Sequence, residues 1–327
     1  MTSPSPAGRG RAWMRVVGTA LGLLLLVYLI RQQSWTEIAA ALARIPVWVF
    51  VLTIVLALLS RVAVVARWWV LLRGAGVRLR WRDATRLTFA GLFASNFLPT
   101  TVGGDVVRLA GSLRLEGPAA VYAASIAVDR LVGMAGMVSA APLGLPAFLP
   151  WLKAGAAAAT GPLSVSGFTT GWGRLRQWLQ RSLRGGLEAL KLWARQPQWL
   201  AGAFGCTWVY MLLKFAALAL FFHSLGEPVP FMQVAGLWSL VYFITLVPVS
   251  IGGLGLQEVS ASLIYSQVAG VSLSTALAAA LLLRTIEVLA SLPGALFVSD
   301  IAISRHSAKL PAGSDLPHSP SSPGPAA

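Results

Sequence analysis

Charged side chains placed inside long apolar stretches are the residues that could do chemistry in this 327-residue chain. Arg61 and Lys214 lie near the middle of two such stretches, and Asp129 and Arg130 are neighbours in a third. A central charge costs a membrane-spanning helix about 2.5–3.5 kcal/mol on insertion scales. Because the chain carries several, we expect them to face a polar cavity. Asp129 and Arg130 are adjacent and point to different sides of a helix, so their partners must lie on other segments.

Two further charge pairs have a spacing that lets their members meet. Asp105 and Arg108 are three residues apart, as are Arg284 and Glu287. Residues at this spacing share one face of a helix, so each pair is expected to satisfy itself. All of these intramembrane charges have a second interpretation. They could form a structural network of ion pairs that locks the helices together and binds no ligand.

Two apolar stretches, 86–113 and 231–267, are interrupted by the same pattern, a proline followed four residues later by two glycines. The shared residues, aligned at an offset of 149, are Pro99, Gly103 and Gly104 in the first stretch and Pro248, Gly252 and Gly253 in the second. Proline removes a backbone donor and glycine weakens a helix, so each pattern predicts a break within the membrane. Lipid tolerates such a break only inside protein or around a watery cavity.

The half-helices that restart after these breaks should point their N-termini into that cavity. Free N–H groups and the helix dipole favour an anion there, such as a lipid phosphate. Asn96 lies just before the first break, and Thr101 and Ser250 supply hydroxyl groups beside the two breaks. Asp105 and Glu258 lie on the half-helices themselves. For Asp105, Thr101 and Ser250, helix capping without a ligand is the alternative.

Composition places these residues in a membrane protein. Hydrophobic residues make up 56% of the chain and charged residues only 11%, against roughly 25% charged in a soluble domain. The net charge is +15, but the basic residues cluster at the ends of apolar runs, which indicates anionic headgroups rather than nucleic acid. One cysteine excludes an internal disulfide, and three histidines leave almost no material for a zinc enzyme or a histidine-dependent triad. We expect no metal and no cofactor.

The elements that must position the charges are helices of spanning length. The sequence predicts an all-α polytopic membrane protein, with about six full spans and two re-entrant hairpins at the Pro/Gly breaks. The predicted spans are 16–30, 46–72, 119–140, 141–163, 199–223 and 274–298. They form a single transmembrane domain, 13–303, between polar ends at 1–12 and 304–327 that are too poor in apolar residues to fold.

The order of these elements repeats. An apolar span precedes each broken stretch, and a span with an embedded arginine follows it, which gives repeats at about 46–140 and 199–298. The first broken stretch enters from the cytoplasm and the second from outside, so the repeats are inverted. Paired, interrupted segments at corresponding positions of two halves are typical of a transporter's central site. Between the repeats, the segment 171–198 interleaves basic residues with tryptophans. This pattern predicts either an amphipathic helix on the membrane surface or a solvated loop.

The distribution of lysine and arginine predicts the orientation. Residues 78–82, the 171–198 segment and both termini are basic and should be cytoplasmic, whereas 224–230 has no lysine or arginine and should be external. We expect a multi-pass protein of the cytoplasmic membrane. Arg67 and Arg73, each close to two tryptophans, are expected to lie at the interface and reach the headgroups.

Three motifs resemble those of a known family, the flippase-like lysylphosphatidylglycerol synthase transmembrane-region family. They are Asn96-Phe-Leu-Pro99-x3-Gly103-Gly104-Asp105-x2-Arg108, Ser125-x3-Asp129-Arg130-x2-Gly133 and Pro248-x3-Gly252-Gly253-x-Gly255-x2-Glu258. The resemblance covers roughly 14–300 and implies a helical domain with two re-entrant hairpins that takes part in moving polar lipids across a bilayer. In two-part synthases a separate cytoplasmic domain makes the aminoacylated lipid, and we expect this chain to be without it.

The resulting hypothesis is a flippase-like transporter of a polar or anionic lipid, not an enzyme. One alternative is a membrane enzyme acting on a polyprenyl or hopanoid lipid, with Asp105, Asp129 and Glu258 as acid, base or metal ligands. Another is a non-transporting partner of a lipid- or envelope-synthesis enzyme that docks through 171–198. Transport predicts a cavity that opens alternately to each side, an enzyme predicts one open to a single side, and a scaffold predicts none.

Overall fold

Helices make up the regular structure of the chain. The computed structural model describes residues 45–97, 103–158, 193, 196–246 and 254–298. Within these ranges there are nine α-helices and no strand. They are α1 (Val47–Gly74), α2 (Trp81–Phe97), α3 (Gly103–Ser112), α4 (Ala119–Ala140), α5 (Leu145–Ala158), α6 (Pro197–Ser224), α7 (Phe231–Thr245), α8 (Leu256–Ala269) and α9 (Leu273–Ser291). The predicted all-α class is therefore confirmed, while 1–12, 16–30, 304–327 and most of 171–198 lie outside the described residues.

Four helical stretches in the described ranges are long and apolar enough to cross a membrane. These are Val47–Gly74, Ala119–Trp151, Pro197–Ser224 and Leu273–Val298. Helix α4 is followed without a gap by a 3-10 turn (Ala141–Gly144) and by α5, and the residue after α4, Ala141, keeps helical angles (φ −55°, ψ −39°). The separate crossing predicted at 141–163 is not tested, and 159–163 lie outside the described residues. The exact number of crossings stays a prediction.

The described helices form two matching sets. The first set is α1, α2–α3 and α4, and the second is α6, α7–α8 and α9. Helices α1 and α6 each have 28 residues and begin 150 positions apart. Each leads into a short connection with a left-handed glycine, Gly76 (φ 80°) and Gly226 (φ 89°), which are also 150 positions apart. The two repeats predicted from the sequence are thus visible in helix lengths and in backbone conformation.

The two sets run in opposite directions. Gly74, at the end of α1, lies against Trp199 near the start of α6, where an added Cβ would be 2.7 Å from the tryptophan Cβ. Four residues back along α1, the side chain of Val70 faces Gly202, further along α6. Helices α1 and α6 are therefore antiparallel neighbours. Since each opens its repeat, the repeats are inverted relative to one another.

The two broken stretches are pairs of helices that lie side by side. Helix α2 ends at Phe97 and α3 begins at Gly103, with Gly104 packed against Gly91 of α2. Helices α7 and α8 also contact each other across an interruption between Thr245 and Leu256. The 17 and 15 residues of α2 and α7 reach only about 25 and 22 Å, less than the ~30 Å of a hydrocarbon core. Their depth in the membrane stays a prediction, and the breaks at 98–102 and 247–253 lie outside the described residues.

The largest cluster of buried apolar residues lies mainly in the second repeat. Phe215, Phe221 and Phe222 of α6 are fully buried against α7, α8 and α9. Gly144 and Gly236 bring the 3-10 turn and α7 into backbone contact. This packed block supports the helices whose polar side chains form the site described next.

Candidate functional site

A cavity of about 230 Å³ lies among α1, the α2–α3 pair and α4. Its charged lining residues are Arg61, Arg67, Arg108, Arg130, Asp105 and Asp129. Thr88, Ser95, Tyr210 and Tyr242 add hydroxyl groups to the wall. The four arginines exceed the two aspartates, so the charged groups of the described lining sum to two positive charges. Such a wall favours an anion.

Asp129 holds three helices together at the cavity wall. Its Oδ1 lies 2.6 Å from Arg67 Nε, and its Oδ2 accepts a hydrogen bond from Arg108 Nη1 at 3.1 Å. The partners of Asp129 thus lie on α1 and α3, as its position beside Arg130 predicted. Arg67 was expected at the interface, and this expectation is wrong. Its side chain is 11% exposed because a buried carboxylate one helix away holds it inside.

Asp105 and Arg130 form a second ion pair at the same cavity. Asp105 is the third residue of α3, where a carboxylate interacts favourably with the helix N-terminus. Its other oxygen lies 3.6 Å from Arg108 Nη1, so the predicted pair with Arg108 exists but is the longer contact. The Arg130 side chain is 46% exposed, which makes this pair the accessible one of the two.

Arg108 is buried and only partly satisfied. It is 6% exposed, and its guanidinium carbon lies 4.4 Å from the centre of the Trp68 ring. Its Nε and Nη2 atoms have no hydrogen-bond partner among the described residues. The Trp68 ring is itself fixed, because its Nε1 donates a hydrogen bond to Ser125 Oγ at 3.0 Å. Buried donors without partners carry a desolvation cost that a bound anion would relieve.

The second repeat has its own charge cluster. Lys214 Nζ lies 2.5 Å from Glu287 Oε1 and 4.6 Å from the Trp238 ring centre. Arg284 Nε lies 3.7 Å from Glu258 Oε1. The prediction that Arg284 and Glu287 satisfy each other is wrong. Although they share a helix face, each has an oppositely charged partner on a neighbouring helix.

The two clusters are built on the same plan. Asp105 and Glu258 are each the third residue of the second half-helix of their repeat, and each pairs with an arginine of the closing helix, Arg130 or Arg284. In both repeats a second ion pair joins the first helix of the repeat to its last helix, α1 to α4 in the first repeat and α6 to α9 in the second.

Those second pairs are Arg67 with Asp129 and Lys214 with Glu287. The plan differs at one position. Arg108 is the sixth residue of α3, and the sixth residue of α8 is Ala261. The extra buried cation thus belongs to the first repeat alone.

The other residues singled out in the sequence fall in several places. Asn96 Nδ2 donates a hydrogen bond to Ser291 Oγ at 2.8 Å, which joins α2 to α9 rather than lining the cavity. Arg61 lines the cavity, and its Nη2 lies 3.5 Å from the backbone oxygen of Glu287. Gly103 begins α3 and is buried. The remaining candidates lie outside the described residues: Pro99, Thr101, Ser250, Gly252 and Gly253.

Several lining residues were not found from the sequence. Tyr210 and Tyr242 come from the second repeat, and Thr88 and Ser95 from α2. Their types are common in spanning helices, so no signal marked them. The described residues contain no group of three or more His, Cys, Asp or Glu side chains that could hold a metal ion.

A family model described as lysylphosphatidylglycerol synthase TM region matches residues 15–294, which include α1 to α9 and the charged residues of both clusters. No curated protein matches the chain significantly.

Proposed function

We propose that this chain, which belongs to the lysylphosphatidylglycerol synthase transmembrane-region family, moves an anionic lipid across the cytoplasmic membrane. The headgroup would occupy the cavity among α1, α3 and α4 while the acyl chains stay in the bilayer. Both termini would be cytoplasmic. The matching family model is that of a transmembrane region and not of a catalytic domain, so we propose transport rather than catalysis.

The charge of the cavity wall carries this proposal. Four arginines against two aspartates leave room for one or two negative charges in the cavity. Arg108 supports it further, since its free donors are on a planar guanidinium that matches phosphate bidentately. A purely structural network would be expected to balance its charges and satisfy its donors.

Inverted repeats support movement rather than static binding. A protein built of two oppositely oriented halves can present one site to either side of the membrane by moving one half against the other. Each half has its own copy of one ion pair, Asp105 with Arg130 in the first and Glu258 with Arg284 in the second. These pairs lie within the halves, so the halves can move against each other without breaking them.

The test is a leaflet assay in proteoliposomes. Phospholipid reporters labelled on an acyl chain, with intact headgroups, are bleached by an impermeant reductant that reaches only the outer leaflet. Reporters with phosphatidylglycerol, lysylphosphatidylglycerol and phosphatidylcholine headgroups form the panel. For the phosphatidylglycerol reporter, we expect bleaching to exceed the outer-leaflet fraction. For the phosphatidylcholine reporter, we expect bleaching to stay close to that fraction. Bleaching equal to that of protein-free vesicles for every reporter would contradict transport.

A further inference from the structure

We propose that a second pocket, at the connection between α1 and α2, binds the headgroup of an anionic phospholipid at the membrane surface. The pocket has a volume of about 780 Å³, a size suited to a headgroup. Its lining includes Arg73, Arg78 and Arg80 together with Trp69, Trp81 and Trp199. It shares no lining residue with the central cavity, and the proposal does not depend on transport.

The pocket is positively charged. Three arginines line it and no carboxylate does. None of the three forms an ion pair with a carboxylate within the described ranges. Their charge is therefore available to a ligand, and a phosphate with its ester oxygens is the group that arginine recognises best.

Aromatic rings fix part of this charge in place. Trp69 Nε1 donates a hydrogen bond to the backbone oxygen of Leu79 at 3.0 Å, which holds the ring. The guanidinium carbon of Arg73 lies 3.9 Å from the centre of that ring, and Trp81 meets it edge to face at 5.5 Å. Arg73 is thus stacked on a held ring, so binding would cost less side-chain entropy than it would for a free surface arginine.

The connecting segment presents two more arginines in the same direction. Val77 and Leu79 are buried, whereas Arg78 and Arg80 are exposed, the alternation of an extended segment. Both arginines therefore point away from the protein core. Gly76, just before them, has open space where a Cβ would be.

The fold itself does not require these arginines. The second repeat makes the corresponding connection with the sequence Leu225-Gly-Glu-Pro-Val-Pro230, which reproduces the left-handed glycine and contains no arginine or lysine. A turn of the same kind is therefore built without basic residues. The turn therefore does not account for Arg73, Arg78 and Arg80, and the cytoplasmic orientation requires their charge but not their placement around one pocket. Ligand binding accounts for that placement.

Position identifies the ligand as a lipid. The pocket lies where the spanning helix α1 ends and α6 begins, beside Trp199. Tryptophan and arginine together at the end of a span mark the headgroup layer, where anionic phospholipids are concentrated in the cytoplasmic leaflet. A bilayer lipid can reach this pocket with its headgroup while its acyl chains remain beside α1.

The first experiment counts bound lipid on the purified full-length chain by native mass spectrometry. Phosphatidylglycerol is titrated into the protein, and its binding is compared with that of phosphatidylcholine. The variant Arg78→Gln/Arg80→Gln removes two charges from the pocket. Its matched control, Arg82→Gln/Arg86→Gln, removes two charges from the same stretch at positions that do not line the pocket. We expect phosphatidylglycerol binding to weaken at least about tenfold in the pocket variant and less than about twofold in the control. Equal losses in both, or no loss in either, would overturn the proposal.

A second experiment needs no variant. Phosphatidylglycerol brominated on its acyl chains quenches nearby tryptophans in bilayers, and three tryptophans line the pocket. We expect more quenching than with brominated phosphatidylcholine, reversed by unlabelled phosphatidylglycerol and unaffected by millimolar inorganic phosphate. Equal quenching by the two brominated lipids would overturn the site. Displacement by inorganic phosphate would overturn its assignment to a lipid.

Discussion

Two arginines of the cavity have buried nitrogens without a hydrogen-bond partner among the described residues, Arg108 at Nε and Nη2 and Arg61 at Nε alone. Arg67 and Arg130 each contact an aspartate through Nε, whereas the Nε and Nη2 atoms of Arg108 have no hydrogen-bond partner among the described residues. The guanidinium carbon of Arg108 lies 4.4 Å from the centre of the Trp68 ring, and its Nη1 lies 3.1 Å from Asp129, so the side chain is held at the cavity wall. We therefore propose that Arg108 contacts the phosphate of a bound anionic headgroup.

The pair formed by Lys214 and Glu287 should be a structural lock. Both side chains are less than a sixth exposed, and neither lines the central cavity. Lys214→Met or Glu287→Gln alone leaves a buried charge or a buried donor without its partner. We expect each single variant to lose about 3–5 kcal/mol of stability and the double variant to regain most of it. Thermal unfolding in detergent measures this cycle.

The same cycle separates a lock from a ligand site. If the double variant also regains lipid transport, Lys214 and Glu287 serve the structure only, which is our expectation. A double variant with regained stability and no transport would contradict this and return both residues to the binding site.

The sequence predicted which residues carry charge inside the spans but not how they pair. Adjacent placement showed that Asp129 and Arg130 need partners elsewhere, yet nothing in a single sequence identifies Arg67 as one of them. The spacing of Arg284 and Glu287 suggested a mutual pair, because helix periodicity describes one helix only. Contacts between helices decided otherwise, through Lys214 and Glu258.

Glycines set the distance between neighbouring helices. A Cβ on Gly104 would meet the backbone of Gly91, and a Cβ on Gly236 would meet the backbone of Gly144. Gly104→Ala and Gly236→Ala should each cost about 1–3 kcal/mol, since a backbone contact cannot yield as a side chain can. In Gly205→Ala, the matched helical control with nothing within 4 Å, stability should stay equal or rise by about 0.5–1 kcal/mol.

The comparison of melting temperatures among these three variants tests the packing role directly. Gly104 was predicted from the sequence as part of a helix break, and the structure adds that it serves the contact between α2 and α3. If Gly104→Ala melts like Gly205→Ala, that contact is not what the glycine provides.

Glu227 fastens the connection between α6 and α7 to the start of α9. Ser272 donates through its backbone N–H at 2.6 Å and its hydroxyl at 2.5 Å, and Thr275 Oγ1 donates at 2.7 Å. Burial alone would raise the pKa of Glu227, but these hydrogen bonds outweigh it and hold the pKa of the carboxyl below its ordinary value of 4.5. The charged form is therefore stabilised by folding.

A depressed pKa in the folded state fixes the direction of the pH effect. The contribution of Glu227 is present above pH 4.5 and is lost as the pH falls through the lower folded value. Glu227→Gln should melt below the wild type at pH 7, and the difference should shrink below pH 4.5. A difference in melting temperature that is constant over this range would contradict the assignment.

Element by element, the sequence predicted the interruptions better than the crossings. Proline and glycine act locally, so the ends of α2 and α7 fall where the pattern placed them. The segment 141–163 was predicted as a span of its own because the count of crossings required it. The structure joins α4 to α5 through a 3-10 turn, and the separate crossing stays a prediction.

At the scale of the whole molecule, the inverted arrangement makes a prediction about sides. Arg78 and Pro228 occupy corresponding exposed positions in the two repeats, 150 residues apart. Because α1 and α6 are antiparallel, these positions should lie on opposite faces of the membrane. In a Cys206→Ala background, Arg78→Cys should react with an impermeant thiol reagent only from the cytoplasmic side and Pro228→Cys only from outside. Reaction of both from one side would contradict the inverted repeats.

The central claim is that an anionic headgroup crosses the membrane through the cavity that Arg108 lines. The most direct measurement is the proteoliposome leaflet assay with an anionic reporter, comparing Arg108→Lys with Arg86→Lys, an arginine that does not line the cavity. Lysine keeps the charge but loses the planar fork, so Arg108→Lys should slow transport at least about tenfold with little change in melting temperature. Arg86→Lys should transport like the wild type. Equal transport by the wild type and both variants would contradict the account.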